Sequence, residues 1–118
     1  MDLKHTREAL VAEGADLSGS TFSDVALVKA AFQNTNLSDC SFAQMNMART
    51  TFTDGLMPGV RFSDVNLSGA SFDKVNMAGV AISNANLNGM NITGCQVDRL
   101  RIDGVAVADL LAAWRKAS

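Results

Sequence analysis

The sequence predicts an all-β solenoid, a single coiled column of short stacked strands, and three observations predict it. Apolar residues recur at every fifth place from Leu17 to Val107, nineteen places without a polar residue. A second series of small or apolar residues runs two places ahead of the first, from Ala15 to Val105. All six phenylalanines fall at alternate fifth places, from Phe22 to Phe72.

A period of five with inward places at i−2 and i fits neither a helix, whose period is 3.6, nor sustained strand alternation, because the phase resets after each inward pair. A short extended piece therefore points two residues inward and one outward, and a corner restores the inward direction. Short sides joined by corners make a coil. Coils stacked at roughly 4.8 Å pair their backbones and bury one continuous column of side chains. The alternation of Phe with Leu or Met sets the true period at ten or a multiple of it. Four sides of five residues close a square that stacks Phe22, Phe42 and Phe62 on one side and Phe32, Phe52 and Phe72 opposite. Leu and Met fill the other two sides, so bulky and slim side chains alternate around each layer.

The segments ADLSG, VNLSG, VNMAG and ANLNG resemble the A(D/N)LXX units of the pentapeptide-repeat family. The resemblance covers residues 15–107 and implies a right-handed quadrilateral β-helix with four repeats per coil. Nineteen repeats then give about 4.75 coils and a rod on the order of 23 Å long.

An open stack leaves apolar side chains and unpaired backbone at both ends, so short terminal capping helices are expected. Residues 1–14 form the N-terminal cap, with Thr6 capping a short helix over Glu8 to Glu13, Gly14 ending it, and Leu10 and Val11 facing the first layer. Residues 108–118 form the C-terminal cap, a helix with Asp109 near its start and Arg115 and Lys116 near its end, as the helix dipole favours. Leu110, Leu111 and Trp114 share one face of it. That face either closes as a lid on Ile102 and Val107 or serves as a homodimer contact or a docking patch for a protein partner, and both can hold at once.

Within the column, Gly55-Leu56-Met57-Pro58-Gly59-Val60-Arg61-Phe62 holds the sole proline. In register, Met57-Pro58-Gly59-Val60 is a corner, and a type II turn favours proline second and requires a positive φ, hence glycine, third. The same corner recurs at Leu67–Ala70, Met77–Val80 and Leu87–Met90. The proline is thus neither a domain boundary nor an active loop. Gly55 leaves an inward slot empty, and the outward Leu56 between Asn36 and Asn76 is a second candidate contact. Asn46, Asn66 and Asn86 stack at one outward place and predict a structural amide ladder.

The chemistry of an enzyme is missing. Catalysis needs a nucleophile, a base and an orienting group in one pocket, whereas this chain has one histidine, His5, no tyrosine, and serines at repeat surface places that corner chemistry explains. No catalytic residue, metal ligand set or cofactor cavity is assigned. Cys40 and Cys95 lie nearly three layers apart, about 13 Å along the axis, beyond disulfide reach, and are expected as buried reduced thiols. The N-terminal segment lacks the apolar core of a signal peptide, no stretch approaches membrane-spanning length, and a cytoplasmic location is the expectation. The net charge of −2 without a basic stripe argues against direct nucleic-acid binding.

Some members of the family that this sequence resembles mimic B-form DNA and bind type II topoisomerases, so a DNA-mimicking modulator of gyrase is the alternative function. The repeat region holds eight acids and six bases, leaving two net negative charges. Duplex DNA carries roughly 14 over 23 Å. The expected function is a non-enzymatic interaction scaffold for a protein partner whose identity the sequence does not give.

Overall fold

Two inward residues per side and a reset at each corner demand a special backbone conformation at the corner, and the computed structural model shows which. It describes residues 2–3, 11–14, 16–23 and 26–117. Among these, every residue two places after a fifth-place centre has a positive φ, from Gly14 at 62° to Gly104 at 80°. Many are not glycine: Lys29, Arg49 and Arg99 sit at 62°, 61° and 60°. The left-handed conformation is therefore imposed by the coil rather than by the local residue.

The strands are β1 (Asp2–Leu3), β2 (Val11–Glu13), β3 (Thr21–Ser23), β4 (Ala31–Gln33), β5 (Ser41–Asn46), β6 (Thr51–Thr53), β7 (Arg61–Asn66), β8 (Ser71–Asp73), β9 (Ala81–Ser83), β10 (Asn91–Thr93), β11 (Arg101–Ile102) and β12 (Val105–Ala106), followed by the helix α1 (Val107–Ala117). Odd-numbered strands stack in the order β1-β3-β5-β7-β9-β11, with β12 added at the end. Even-numbered strands stack opposite as β2-β4-β6-β8-β10. Pairing is parallel with a step of twenty residues, as in Phe22↔Phe42↔Phe62↔Ile82 and Phe32↔Phe52↔Phe72↔Ile92. The other two sides are rows of single bridges, Asp16↔Asn36↔Leu56↔Asn76↔Gln96 and Ala26↔Asn46 with Asn66↔Asn86. The fold is a four-sided parallel β-solenoid, as the period predicts.

The core is the column of centres, and every centre from Phe22 to Ile82 is no more than 2% exposed. Phenylalanine rings stack with nearly parallel planes along each side, their centroids 4.7 Å apart for Phe22 and Phe42 and 5.0 Å for Phe32 and Phe52. Across the column they meet edge to face, Phe52 to Phe62 at 6.4 Å and Phe62 to Phe72 at 6.2 Å. Both arrangements suit the ring quadrupole. Buried polar groups at the i−2 place donate back one layer: Thr50 Oγ1 to the Leu27 carbonyl at 2.8 Å and Cys40 Sγ to the Leu17 carbonyl at 3.0 Å. Burial pushes the Cys40 thiol pKa above its ordinary value. Both cysteines are free, but Cys95 is only partly buried, unlike the expectation.

Corners after Leu and Met centres close with a hydrogen bond from the residue three places on, as in Val60 N–H to the Met57 carbonyl at 3.3 Å and Ala70 N–H to the Leu67 carbonyl at 3.0 Å. With Gly59, Gly69, Gly79 and Gly89 at φ 74°, 69°, 71° and 74°, these are the expected type II turns.

The N-terminal reading needs correction. Val11–Glu13 is not the end of a helix but the strand β2, paired with β4 through Ala12↔Phe32. Ala12 stands five places before Leu17, so the fivefold register begins one repeat earlier than its first large side chain, and an alanine centre hides it. Upstream, β1 pairs with β3 at Leu3↔Phe22, a step of nineteen rather than twenty. His5, Thr6, Glu8 and Leu10 lie outside the described residues.

Candidate functional site

The C-terminal end is where the repeat chemistry stops, and its construction follows from one reversal of the chain. Asp103 and Gly104 have φ of 49° and 80°, turning β11 back into β12, which pairs with it antiparallel through Arg101↔Ala106 and Ile102↔Val105. Arg101 Nη1 donates to the Gly104 carbonyl at 3.2 Å and steadies that turn. The Asp103 carboxylate accepts the N–H of Asn84 at 3.1 Å, capping a donor that would otherwise await another layer. Val107 N–H then donates to the Leu100 carbonyl at 2.9 Å, and α1 departs.

The hairpin covers one side of the last coil. On the other sides the last coil has no layer above it. In the preceding layer, Leu67, Gly69, Lys74, Met77 and Gly79 donate their N–H groups to Asn86, Asn88, Thr93, Gln96 and Asp98. Their counterparts Leu87, Gly89, Gly94, Val97 and Arg99 have no such acceptor among the described residues. The column also loosens here: Leu87, Ile92, Val97 and Ile102 are only partly buried.

The helix does not close this end. Trp114 is 69% exposed, Leu110 49% and Leu111 38%, beside Val105 at 46%. The lid expected on Ile102 and Val107 is therefore corrected: β12 ends the sheet on one side and launches α1 away from the column, so its apolar stripe meets solvent. Leu110, Leu111 and Trp114 are exposed on α1, which meets the column at β12, where Val105 is exposed as well, and the column end is left open.

Leu56, 49% exposed, stands alone on another side. The space beside Gly55 is not empty as expected, because a Cβ there would lie 2.8 Å from the Thr35 carbonyl oxygen. A neighbouring backbone fills the slot. Leu56 itself has a structural account that the sequence reading missed. Asn36, Asn66, Asn76 and Asn86 each accept, through Oδ1, the N–H of the residue two places on, at 3.0 Å. Asn46 and Asp16 do the same at 3.1 Å, and that bond holds the Asp16 carboxyl pKa below its ordinary value. Two places after Leu56 stands Pro58, which has no N–H to give. An asparagine at 56 would have nothing to accept, and Leu56 needs no partner to explain it. The expected amide ladder is present at Asn66 Nδ2 to Asn46 Oδ1, 3.2 Å, but this turn-closing role recurs on more of the asparagines.

No group of three or more histidine, cysteine or acidic side chains suited to a metal occurs among the described residues. Among the described residues, no helix is long and apolar enough to cross a membrane.

Comparison with known proteins agrees with the coil geometry. The family model described as pentapeptide repeats matches eight copies, over residues 15–54, 27–64 and 61–96. Among curated proteins no sequence matches this chain. Among solved structures, a pentapeptide repeat protein (Rfr23) from the cyanobacterium Cyanothece 51142 is similar at 14% identity and a TM-score of 0.62, covering 86% of this chain and 88% of that one. A pentapeptide repeat protein from the Arabidopsis thaliana thylakoid lumen is similar at 16% identity and a TM-score of 0.63, covering 72% of this chain and 60% of that one, so this chain spans less than two thirds of its length. At such identities the likeness concerns the fold.

Proposed function

The chain belongs to the pentapeptide-repeat family, and from that premise we propose that it is a non-enzymatic interaction scaffold that binds protein through its C-terminal end. The observation that carries this reading is the 69% exposure of Trp114 on the helix that follows an uncovered last coil. Tryptophan is enriched among interface anchors, and Leu110, Leu111 and Val105 supply the apolar surround. The half-buried Leu87, Ile92 and Val97 extend the surface onto the column end.

A second copy of the chain is the occupant we favour. Two copies related by a twofold axis present their terminal strands antiparallel, and β12 on β11 is an antiparallel pairing that this end already accommodates. Among the described residues the stacked centres fill the column interior, which supports the non-enzymatic part of the reading. Two unpaired cysteines fit the reducing cytoplasm we propose as its setting. The weak net charge of the repeat region supports a protein contact over mimicry of duplex DNA.

Light scattering across a concentration series tests the reading. The molar mass should climb toward twice the monomer, and Trp114→Ala should hold it at the monomer. A chain that stays monomeric throughout, and captures no protein from its host lysate in a Trp114-dependent way, overturns it.

A further inference from the structure

A second surface, far from Trp114 in composition, gathers cations. The layer that holds β9 presents only small outward residues around one corner, Ala78, Gly79, Ala81 and Ser83, and these floor a trench. Its banks carry Arg61 on one side and Arg99 and Arg101 on the other, and its volume at the Arg99 end is about 480 Å³. Register makes the arrangement specific. Arg61 pairs with Ala81, and Ala81 pairs with Arg101, so the two arginines flank one alanine on the same outward row. Their backbones stand two strand spacings apart, about 9.6 Å. Each side chain is long enough to lean over the alanine between them.

All three arginines are exposed, and among the described residues none has a carboxylate within ion-pair distance. Of the nearby acids, Asp103 caps the Asn84 N–H, whereas Asp39 reaches over Gly59 and lines the trench itself, one carboxylate set against three guanidinium groups. Arg101 spends one guanidinium nitrogen on the Gly104 carbonyl, which fixes its stem and leaves further donors. Three guanidinium groups around a floor without side-chain bulk form a recess for a compact, multiply charged oxyanion, because the planar fork pairs with two oxygens at once.

We propose that the Arg61–Ala81–Arg101 row, with Arg99, is a binding site for a phosphate group. The chemistry is shared by the free ion and by a phosphorylated side chain of another protein. Ala81 is the entry point, and the group rests above it with one arginine on each side.

Amide NMR of the full chain, titrated with inorganic phosphate at constant ionic strength against chloride, tests this. Saturable shifts are expected at Gly79, Ala81 and Ser83. Ala81→Glu, which sets a carboxylate between the two arginines on an exposed place, should abolish them, and Arg61→Gln should weaken binding about tenfold. Lys74→Gln, on another side of the column, should change nothing. A phosphoserine peptide that binds more tightly than the free ion assigns the group to a phosphorylated protein, and equal affinity assigns it to the ion. Absence of saturable shifts, or shifts that survive both Ala81→Glu and Arg61→Gln, overturns the proposal.

Discussion

The middle of the column and its C-terminal end are built from the same repeat, yet they differ in what lies above each residue. At Phe52 a layer stacks on either side: the ring packs 5.0 Å from Phe32 and 4.7 Å from Phe72 and is 2% exposed. At Ile92, in the strand β10 that ends its side of the column, the same inward place is only partly buried. The lesson is that inward direction is set by the five-residue period, whereas burial is set by neighbours in the next layer. Stability in such a column is a sum of layer contacts, and the last layer is short of one.

Truncation breaks the comparison most directly. Phe52→Ala should cost about 3–5 kcal/mol, since it removes stacking on two sides and leaves a cavity between rigid layers. Ile92→Ala should cost well under half as much in the same urea titration. Equal costs would mean that something already covers the end, and a concentration-dependent cost at Ile92 alone would identify that cover as a second copy. Next in size, Gly55→Ala should destabilise by about 2 kcal/mol, because its Cβ would press on the Thr35 carbonyl, a backbone atom held by pairing. A neutral result would mean that the layers can separate locally.

The sequence carried more of the middle than of the ends. The fivefold series and the alternate phenylalanines were enough for the coil, the side assignment and the type II corner at Met57–Val60, because these depend on a repeat that averages over many copies. At the N-terminus the same register continues through Ala12 in β2, but an alanine centre gives no apolar signal and the chain there reads as helix. At the C-terminus the composition of α1 was legible, while its direction was not, since that depends on the hairpin at Asp103 and Gly104. The exposed Leu110, Leu111 and Trp114 were named from one helix face; the unpaired N–H groups of the last coil come from the absence of a following layer. The arginine row was hidden for another reason. Arg61 and Arg101 are forty places apart in the chain, and only the twenty-residue register sets Ala81 between them.

Corner strain separates middle from end less sharply and predicts a smaller effect. Lys29 and Arg49 hold φ of 62° and 61°, where a side chain costs energy that glycine avoids. Lys29→Gly should stabilise by about 1 kcal/mol in thermal unfolding, since the coil imposes that φ whatever residue is there. Destabilisation would mean that the lysine stem contributes packing that outweighs its strain.

The smallest expected effect is also the most specific, because it concerns a pair rather than a residue. Leu56→Asn alone should gain nothing, as Pro58 has no N–H for the new carbonyl oxygen to accept. Pro58→Ala alone should lose the proline's preset corner and leave an N–H with only solvent. Together they should restore the bond seen at Asn76, where Oδ1 accepts the Ala78 N–H at 3.0 Å. A double-mutant cycle should then show a favourable coupling of about 0.5 kcal/mol, the net worth of one solvent-accessible hydrogen bond. Strict additivity would return Leu56 to the surface as an apolar residue without a structural reason, and a partner for that side of the column would again need to be sought.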